Sequence, residues 1–481
     1  MIYDEITKTY PVSLPEEEPE RQYAFMDILK AELADRMQRE NRTFTMHVET
    51  FGCQMNAKDS EKLAGILSYI GYVPTDSEDA DIVVYNTCTV RENANTRVYG
   101  RIGYLGRLKK SHPGMRIVLC GCMMQEEHVI EKIKKSYPFI DVIFGTHNIY
   151  MLAELLYRRE QSTKCVIDVR KEADRIVEDL PSLQKYGFKA GVNIMYGCNN
   201  FCSYCIVPYV RGRERSRNPI DIVRETEMLT KNGVREVMLL GQNVNSYGKN
   251  LEPGVSFAEL IREVSKVDGL QRIRFMTPHP KDLSDELIEE IAVNPKICKH
   301  VHLPLQSGSS RLLKLMNRHY TKESFLALVD KIRERIPEVA ITTDIIIGFP
   351  GETEEDFEDT LDVVRKARFM SAFTFIYSKR SGTPAAEMDG QVSEEICSER
   401  MKRLLDTVGE VASKEAKRYT GRTEAVLCEE YREDTGCVTG RLDNNLLVHF
   451  PGEKTLLGEM VSVKLSECKG FYYIGEQSSD L

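Results

Sequence analysis

The feature that most constrains this chain is a set of cysteines within one short stretch, Gly197-Cys198-Asn199-Asn200-Phe201-Cys202-Ser203-Tyr204-Cys205. Its three thiols are spaced four and then three residues apart. An electron-transfer cluster normally takes four cysteines, and a structural zinc site also has four protein ligands. Here the next histidine is His279 and the next cysteine is Cys298, so no fourth ligand is near. This spacing favours a cubic [4Fe–4S] cluster with one open iron over three unrelated buried thiols.

Length and charge limit the class of protein. A chain of 481 residues exceeds one ordinary core, so we expect two to four domains. Its 42% hydrophobic and 29% charged residues are typical of a soluble globular protein. A net charge of −9 and a pI of about 5.7 are poorly suited to bulk nucleic-acid binding. Any RNA contact must therefore use a local basic patch.

The cellular setting also follows from composition. The start, Met1–Glu5, lacks the basic and then apolar pattern of a signal peptide. No apolar run approaches the roughly 20 residues of a membrane span, so we expect no membrane partner. Thirteen cysteines are far fewer than a disulfide scaffold uses. We therefore expect a cytoplasmic protein whose clustered cysteines bind metal.

The first segment, residues 1–43, is polar and acidic, with prolines at Pro11, Pro15 and Pro19. Arg21–Arg39 could form a helix. We interpret the segment as a weakly ordered N-terminal extension without chemistry.

The second segment, residues 44–162, alternates strands and helices. The run Asp59–Ile70 has helical spacing of its apolar residues. Such alternation predicts a parallel sheet with helices on both faces. The expected strands are Thr45–Glu49, Asp81–Tyr85, Arg116–Leu119 and Asp141–Phe144.

Cysteines follow three of these strands. Cys53 follows the first strand, Cys88 the second, and Cys120 and Cys122 close the third. Since the carboxyl ends of parallel strands share one edge, these thiols converge there. The pattern predicts a second three-cysteine cluster site, made of Cys53, Cys88 and either Cys120 or Cys122, unless these thiols merely fill the core. Two histidines could also be ligands, although we expect both to be solvated: His128 and His147.

The third segment, residues 184–413, begins with the strand Lys189–Met195, which leads into the three-cysteine loop. That loop resembles the signature of radical S-adenosylmethionine (SAM) enzymes, and six βα-like units fit their partial (βα)6 TIM barrel, with ligands at its mouth. The further expected strands are Glu236–Leu240, Arg272–Phe275, His300–Leu303, Ile341–Ile346 and Thr374–Tyr377.

The last segment, residues 414–480, is predicted to be all-β. Its short strands and turns are similar to small RNA-binding barrels of the OB type. From Lys414 onward the chain has nine Lys and Arg against twelve Asp and Glu. The similarity to RNA-binding barrels thus rests on the strand pattern and not on charge. Whether this barrel binds RNA stays open.

Taken together, the segments resemble the methylthiotransferase family over nearly all of residues 44–480. That resemblance implies an N-terminal α/β cluster domain (44–162), a radical SAM core (184–413) and a C-terminal TRAM barrel (414–480). The matching motifs are Thr50–Asn56, Asn86–Cys88, Gly121–Met123, Cys198–Gly212, His302–Ser309 and Gly348–Thr353.

The resemblance implies two [4Fe–4S] clusters and two uses of SAM, one as methyl donor and one as source of a 5′-deoxyadenosyl radical. It also selects Cys122 over Cys120, because the family's third cysteine follows Gly and precedes Met. Cofactors carry such radical chemistry, so we expect no catalytic side chains beyond the cluster ligands. These ligands are Cys53, Cys88 and Cys122 for one cluster and Cys198, Cys202 and Cys205 for the other.

Several residues beside the radical SAM cluster are candidates for SAM binding. The backbone of Tyr204 could touch the adenine, although simple packing is an equal alternative. Other candidates follow core strands, where each could also belong to an ordinary βα loop: Gln242, Asn243, Gln306, Ser307, Gly348 and Gly351. Asp344 lies within an apolar strand and requires a polar partner or solvent.

One concentrated basic patch follows the cluster loop: Arg211, Arg213, Arg215 and Arg217. Arginine binds phosphate bidentately and stacks on bases, so we favour an RNA contact over a solvated run of charges.

The resemblance implies methylthiolation of carbon 2 of N6-isopentenyladenosine next to the anticodon of tRNA. The partners would be a tRNA anticodon stem-loop, a flavodoxin or ferredoxin-type electron donor and a sulfur donor. An enzyme that modifies a base must reach it outside a stack. The nearest alternatives are the same chemistry on threonylcarbamoyl-adenosine in tRNA or on a ribosomal-protein aspartate. A non-catalytic iron–sulfur RNA sensor would not need two open-iron sites.

Overall fold

A computed structural model describes residues 14–89, 92–173 and 175–478. The chain divides into two compact units. Of the described residues, the first unit contains those in 14–185 with 196–198 and 206–213, and the second contains 186–195, 199–205 and 214–478. Among the described residues, no helix is both long and apolar enough to span a bilayer.

The first unit is an α/β sheet domain. Its strands run in the order β2-β1-β3-β4-β5-β6, and every pair is parallel, as predicted. Its elements are α1 (Glu20–Glu40), β1 (Thr45–Thr50), α2 (Gln54–Ile70), β2 (Val73–Pro74), β3 (Ile82–Thr87), α3 (Glu92–Ser111), β4 (Arg116–Gly121), α4 (Glu127–Ser136), β5 (Val142–Phe144), α5 (Leu152–Glu160) and β6 (Val166–Asp168).

The N-terminal helix α1 corrects one expectation. Phe25, Met26, Leu29 and Leu33 are buried on one of its faces and join the core that α2 and the sheet form. The weak order expected of residues 1–43 is therefore wrong for Glu20–Glu40. The helix that the sequence allowed over Arg21–Arg39 is present as α1, and its stability comes from packing and not from its own propensity.

Strand register determines where the cysteines lie. Thr50 of β1 is opposite Asn86 of β3, and Asn86 is opposite Cys120 of β4. Cys53, Cys88 and Cys122 each follow these aligned positions within a few residues. The convergence of strand ends that the sequence predicts is thus confirmed.

The second unit holds six parallel strands in two sheets, ordered β11-β10-β7 and β12-β13-β14. Its apolar core lies between these strands and their helices. From residue 189 the elements are β7 (Lys189–Asn193), β8 (Met195–Tyr196), α6 (Val207–Arg211, in the first unit), β9 (Arg215–Ser216), α7 (Pro219–Lys231), β10 (Glu236–Leu240), α8 (Phe257–Ser265), β11 (Arg272–Phe275), α9 (Asp285–Val293), β12 (His300–His302), α10 (Ser310–Leu315), α11 (Lys322–Arg335), β13 (Ala340–Ile347), α12 (Glu354–Ala367), β14 (Ser371–Ile376) and α13 (Glu394–Lys417).

A closed five-stranded barrel completes the second unit, in the order β15-β16-β17-β19-β18. Arg274 donates from Nη2 to the carbonyl of Leu442 over 2.7 Å, which fastens the barrel to β11. The predicted all-β segment is therefore confirmed. Its strands are β15 (Thr423–Arg432), β16 (Cys437–Arg441), β17 (Leu447–Pro451), β18 (Met460–Cys468) and β19 (Tyr472–Gln477).

Candidate functional site

Three thiols converge at the carboxyl edge of the first unit's sheet. Cys53 is exposed at the start of α2, whereas Cys88 and Cys122 are buried after β3 and β4. Burial raises the pKa of the Cys122 thiol to about 12, the charge of Arg211 opposes this shift, and Cys88 and Cys53 add to it. The three sulfurs therefore lie within electrostatic range of one another.

An asparagine pair holds this edge together. Nδ2 of Asn56 donates to Oδ1 of Asn86 over 3.0 Å and to the carbonyl of Thr87 over 3.1 Å. Nδ2 of Asn86 donates to the carbonyl of Asn56 over 2.8 Å. The first turn of α2, which follows Cys53, is thereby tied to the end of β3, which precedes Cys88.

Gly121 brings the third strand close to the second. Its φ is +96°, and a Cβ there would lie 2.3 Å from the carbonyl oxygen of Thr87. Only glycine accepts both this backbone conformation and this separation. Cys122, the next residue, therefore follows a position opposite Thr87, the residue that precedes Cys88.

Cys120 has a different environment from Cys122. Its side chain is fully buried in the apolar core of the sheet, and burial raises the pKa of its thiol well above the ordinary value. Cys122 instead packs against Ile206 and Val210. The structure thus supports Cys122 as the third member of the group and Cys120 as a core thiol.

Arg211 belongs to this site and not to an exposed basic patch. Its side chain is 5% exposed. Nε donates to Sγ of Cys122 over 3.2 Å, and Nη2 contacts Oδ2 of Asp59 at 3.3 Å. The prediction that Arg211 contacts RNA is therefore wrong.

The predicted RNA contact is also wrong for Arg217. It is 4% exposed, and Nη1 donates to the carbonyl of Asn193 over 2.5 Å and to Oε2 of Glu225 over 2.7 Å. These contacts leave the guanidinium inside the second unit. Of the four predicted RNA-binding arginines, Arg213 is exposed and Arg215 is partly exposed.

The two histidines considered as possible ligands in the first unit differ. The side chain of His128 is 66% exposed, as expected of a solvated residue. His147 is buried near Gly212, so the expectation of solvation is wrong for it.

In the second unit a buried arginine again contacts a cysteine. Nη1 of Arg318 lies 3.4 Å from Sγ of Cys202, and the amide of Cys205 donates to the carbonyl of Cys202 over 2.9 Å. Nη2 of Arg318 donates to the carbonyl of Pro304 over 3.1 Å, and Nε donates to the hydroxyl of Tyr320 over 3.0 Å. The guanidinium is thus held in one orientation towards the cysteine.

Asn317 also holds the loop that carries Cys202 in place. Its φ is +59°, and its side-chain amide donates to the carbonyls of Asn200 and Phe201, each over 3.0 Å. Neither Asn317 nor Arg318 belongs to a motif recognised in the sequence. They lie far along the chain from the loop, and nothing in the sequence signals their contact with it.

The candidate SAM residues divide into two groups. The side chain of Asn243 donates to Asp282 and accepts from the amide of His279, and Ser307 accepts from the amide of Ser309. These two side chains therefore support loops. The ring of Tyr204 packs against an apolar cluster, as its packing alternative predicted.

The remaining candidates lie at strand ends. Gln306 pairs through its backbone with Asp344 and Ile346, and Gln242 follows β10. The amide of Gly348 donates to Oε2 of Glu352 over 2.7 Å, and that of Gly351 donates to the carbonyl of Gly390. Both glycine amides are thus occupied within the protein.

Asp344 has the partner that the sequence required. Its Oδ2 lies 3.3 Å from Nε2 of His302, and its side chain is 27% exposed.

In the register of β13 and β14, Asp344 is opposite Phe373, and Ile346 is opposite Phe375. Phe373 is 52% exposed and Phe375 is 42% exposed. These four residues form one apolar-rich face of the sheet, called the β14 face below.

The thiols of Cys53, Cys88 and Cys122 fit an iron–sulfur cluster, because the strand register brings their positions together. Within the described ranges, no three His, Cys, Asp or Glu side chains are close enough to hold a single metal ion. A cubane has no such requirement, since each thiolate binds its own iron at a separate corner. A buried guanidinium beside Cys122, and another beside Cys202, suits sites that gather negative thiolates.

Three family models match the chain. Residues 45–145 match "Uncharacterized protein family UPF0004", residues 192–364 match "Radical SAM superfamily", and residues 417–476 match "TRAM domain". The matches follow the order of the predicted cluster domain, radical SAM core and barrel.

Curated relatives are similar over almost their full length. The chain is 66% identical to the tRNA-2-methylthio-N(6)-dimethylallyladenosine synthase of Lachnoclostridium phytofermentans, over 95% of this chain and 100% of that relative. It is 52% identical to the synthase of the same name from Alkaliphilus oremlandii, over 89% of this chain and 92% of that relative.

Among solved structures, the chain is similar to the radical SAM methyltransferase TsrM of Kitasatospora setae, with a TM-score of 0.52 and 15% identity. The match covers 72% of this chain and 77% of that one. At this identity the likeness concerns the fold alone.

Proposed function

The chain belongs to the MiaB-type radical SAM methylthiotransferases, the tRNA-2-methylthio-N6-dimethylallyladenosine synthases, and we propose how its own residues serve that reaction. It uses SAM and a [4Fe–4S] cluster, as its superfamily does. The product carries a methylthio group on carbon 2 of an N6-dimethylallylated adenosine in tRNA.

We propose that Cys198, Cys202 and Cys205 hold the radical SAM cluster and that Cys53, Cys88 and Cys122 hold a second one. When bound, the first cluster would supply one electron for cleavage of SAM into methionine and a 5′-deoxyadenosyl radical, and the second would hold the sulfur that is methylated and transferred. Arg318 supports the first set through its contact with Cys202. Arg211 supports the second through its contact with Cys122.

The proposed roles of the SAM-site residues follow from their contacts. Gln242 and Gln306, at the ends of strands, and the backbone of Tyr204 would contact SAM. The absence of a side chain at Gly351 keeps the turn open to the ligand, whereas at Gly348 it makes room for Sγ of Cys397, which would lie 2.4 Å from a Cβ there. The supporting residues Asn243 and Ser307 hold the loops on which these groups lie.

The β14 face would receive the substrate base. Side chains of β13 alternate, so Ile345 and Ile347 are buried while Asp344 and Ile346 are partly exposed on the opposite side. Phe373 and Phe375 extend that side with aromatic surface, which suits an apolar dimethylallyl substituent. A threonylcarbamoyl group or an aspartate carries a carboxylate, which the negative charge of Asp344 would repel. The face therefore favours the isopentenylated base over both alternatives.

The finer partner assignments are also proposals. Arg213 and Arg215 are the arginines of the predicted patch that remain accessible, and they would contact phosphates of the anticodon stem-loop. A flavodoxin or ferredoxin-type protein would supply electrons, and a separate donor would supply sulfur. A tRNA substrate and reduced thiols fit the cytoplasm. For the domains we keep the boundaries 44–162, 184–413 and 414–480.

The observation that carries this proposal is the repeated pairing of a three-cysteine group with one buried arginine. The test is anaerobic reconstitution with iron and sulfide, followed by reductant, SAM and an anticodon stem-loop that bears isopentenyladenosine. Mass spectrometry should show a methylthio mass increase on that nucleoside, and Cys88→Ala and Cys202→Ala should each abolish it. Formation of 5′-deoxyadenosine with unchanged RNA would contradict the substrate, and threonylcarbamoyl-adenosine RNA and the ribosomal protein would then be tested.

A further inference from the structure

Arg211 lies shortly after the radical SAM loop in sequence, yet its side chain belongs to the other thiol group. It ends α6 (Val207–Arg211), which begins two residues after Cys205. Its Nε contacts Cys122, and its Nη2 contacts Asn56 at 3.4 Å and Asp59 at 3.3 Å. One guanidinium thus touches the helix that follows Cys53 and the thiol that follows β4.

Hydrogen bonds and apolar packing within the first unit fix the segment that carries Arg211. Oγ1 of Thr146 donates to the carbonyl of Val210 over 2.8 Å. The carbonyl of Gly212 accepts from the amide of Cys198 over 3.1 Å. Ile206 and Val210 pack directly on Cys122. The guanidinium is therefore positioned by its neighbours on both sides and not by its flexible side chain alone.

Charge explains why an arginine is needed there. Burying a guanidinium is unfavourable unless anionic partners surround it. Asp59 supplies one carboxylate, also buried, and the contacts with Asn56 and Cys122 involve an amide oxygen and a thiol. Three thiolates gathered at Cys53, Cys88 and Cys122 would add the negative charge that this arrangement lacks.

We propose that Arg211 is a positioning residue for the second cluster: its guanidinium holds Cys122 in place and raises the reduction potential of the cluster. A positive charge and hydrogen bonds to ligand sulfur both raise the potentials of iron–sulfur clusters. The inference rests on the proposed ligand set. It adds a link between the stretch after Cys205 and the sulfur-carrying site.

The test uses the full chain with Cys198, Cys202 and Cys205 replaced by alanine, so that one cluster remains. In this background Arg211→Gln removes the charge, and Arg211→Lys keeps the charge but loses the planar fork. Arg116→Gln is the matched control, because Arg116 begins the strand that ends beside Cys122 and pairs with Glu160. The readouts are the potential, from redox titration followed by electron paramagnetic resonance, and the rate of iron loss to a chelator.

We expect Arg211→Gln to lower the potential and to weaken iron retention about ten- to a hundredfold, as loss of groups that support metal ligands commonly does. Arg211→Lys should have a reduction potential close to that of the parent but should lose iron faster than the parent. Arg116→Gln should match the parent in both measurements. Unchanged potential and retention in Arg211→Gln would overturn the inference. If that variant does not fold, Arg211→Lys decides, because full retention with lysine would overturn the role of the fork.

The outcome also separates this inference from the proposed function. A parent protein that binds no cluster in the three-alanine background would overturn the ligand set and the inference together. If the parent binds the cluster and Arg211→Gln changes neither its reduction potential nor its iron retention, the inference alone would be overturned. In the otherwise unsubstituted enzyme, Arg211→Gln should still form 5′-deoxyadenosine while the methylthiolated RNA falls.

Discussion

Nη1 of Arg318 lies 3.4 Å from Sγ of Cys202, and neither residue is more than a few per cent exposed. The same pairing occurs in the other unit between Arg211 and Cys122. In both places a fixed positive charge faces sulfur in a nearly water-free environment, where electrostatic interactions are strong. At Cys122 the charge of Arg211 opposes the rise in thiol pKa that burial causes, and the thiolate is the form that binds iron.

The first prediction concerns Arg318. Arg318→Gln should reduce formation of 5′-deoxyadenosine from SAM at least about tenfold, because Cys202 loses a charged donor that orients it. The measurement is 5′-deoxyadenosine production by the reconstituted, reduced protein without RNA. Arg335→Gln is the control, since Arg335 is exposed and pairs with the exposed Glu289. Equal rates in Arg318→Gln and the parent would refute a role in this cluster.

The second prediction separates two neighbouring cysteines. Cys122→Ala should remove the second cluster, seen as a loss of about half of the bound iron and of methylthiolated RNA. Cys120→Ala should keep both, because Cys120 belongs to the apolar core. It should cost about 1 kcal/mol of unfolding free energy, the usual size of a small core truncation. Iron analysis and urea unfolding measure the two effects, and loss of the cluster in Cys120→Ala instead would reverse the assignment.

The placement of the cysteines could be predicted because it depends on local rules. Strand periodicity located β1, β3 and β4, and parallel sheets bring strand ends together. The environment of Arg211 could not be predicted in this way. Its partner Asp59 is 152 positions away in the sequence. An alternating run of arginines predicts a surface patch, and the sequence alone does not show which of its members are buried.

The role of Arg318 and the packing of helix α1 were missed for related reasons. Arg318 acquires its role from Cys202 and Tyr320, which only the folded chain brings next to it. Helix α1 is stabilised by apolar residues that meet a core formed by later segments. Charge composition describes the exposed face of such a helix and says little about its buried one.

The third prediction is a pH dependence of stability from His279. Burial, with the charges of Arg318 and Lys281, lowers the pKa of His279 to about 2, whereas an unfolded histidine titrates near 6.5. Below about pH 6.5 the unfolded state therefore binds a proton that the folded state refuses. The unfolding free energy should fall with decreasing pH by up to about 1.4 kcal/mol per unit from this residue.

The test compares urea unfolding of the parent and of His279→Gln at pH 7, 6 and 5. The variant should lose less stability on acidification than the parent. His128→Gln, a substitution of an exposed histidine, is the matched control. Parallel stability curves for the parent and His279→Gln would contradict the buried, neutral histidine.

The last prediction concerns substrate choice at the β14 face. Phe373 packs edge-on against His302 at 5.8 Å, and both Phe373 and Phe375 leave much of their rings uncovered. If these rings contact the dimethylallyl group, their removal should affect the isopentenylated substrate more than an unmodified one. One methylene group in an apolar pocket changes kcat/KM by about 10- to 200-fold. We expect removal of either ring to lower kcat/KM on the isopentenylated substrate within that range.

The measurement is kcat/KM on two stem-loops that differ only in the N6 substituent, isopentenyladenosine against adenosine. Phe375→Ala should reduce the ratio of the two values, and Phe375→Leu should restore much of it, since leucine keeps apolar contact. Ile220→Ala is the control, because Ile220 is exposed on α7, away from this strand. A ratio that stays at the parental value in Phe373→Ala and in Phe375→Ala would place recognition of the isopentenyl group elsewhere, because neither ring would then discriminate between the two bases.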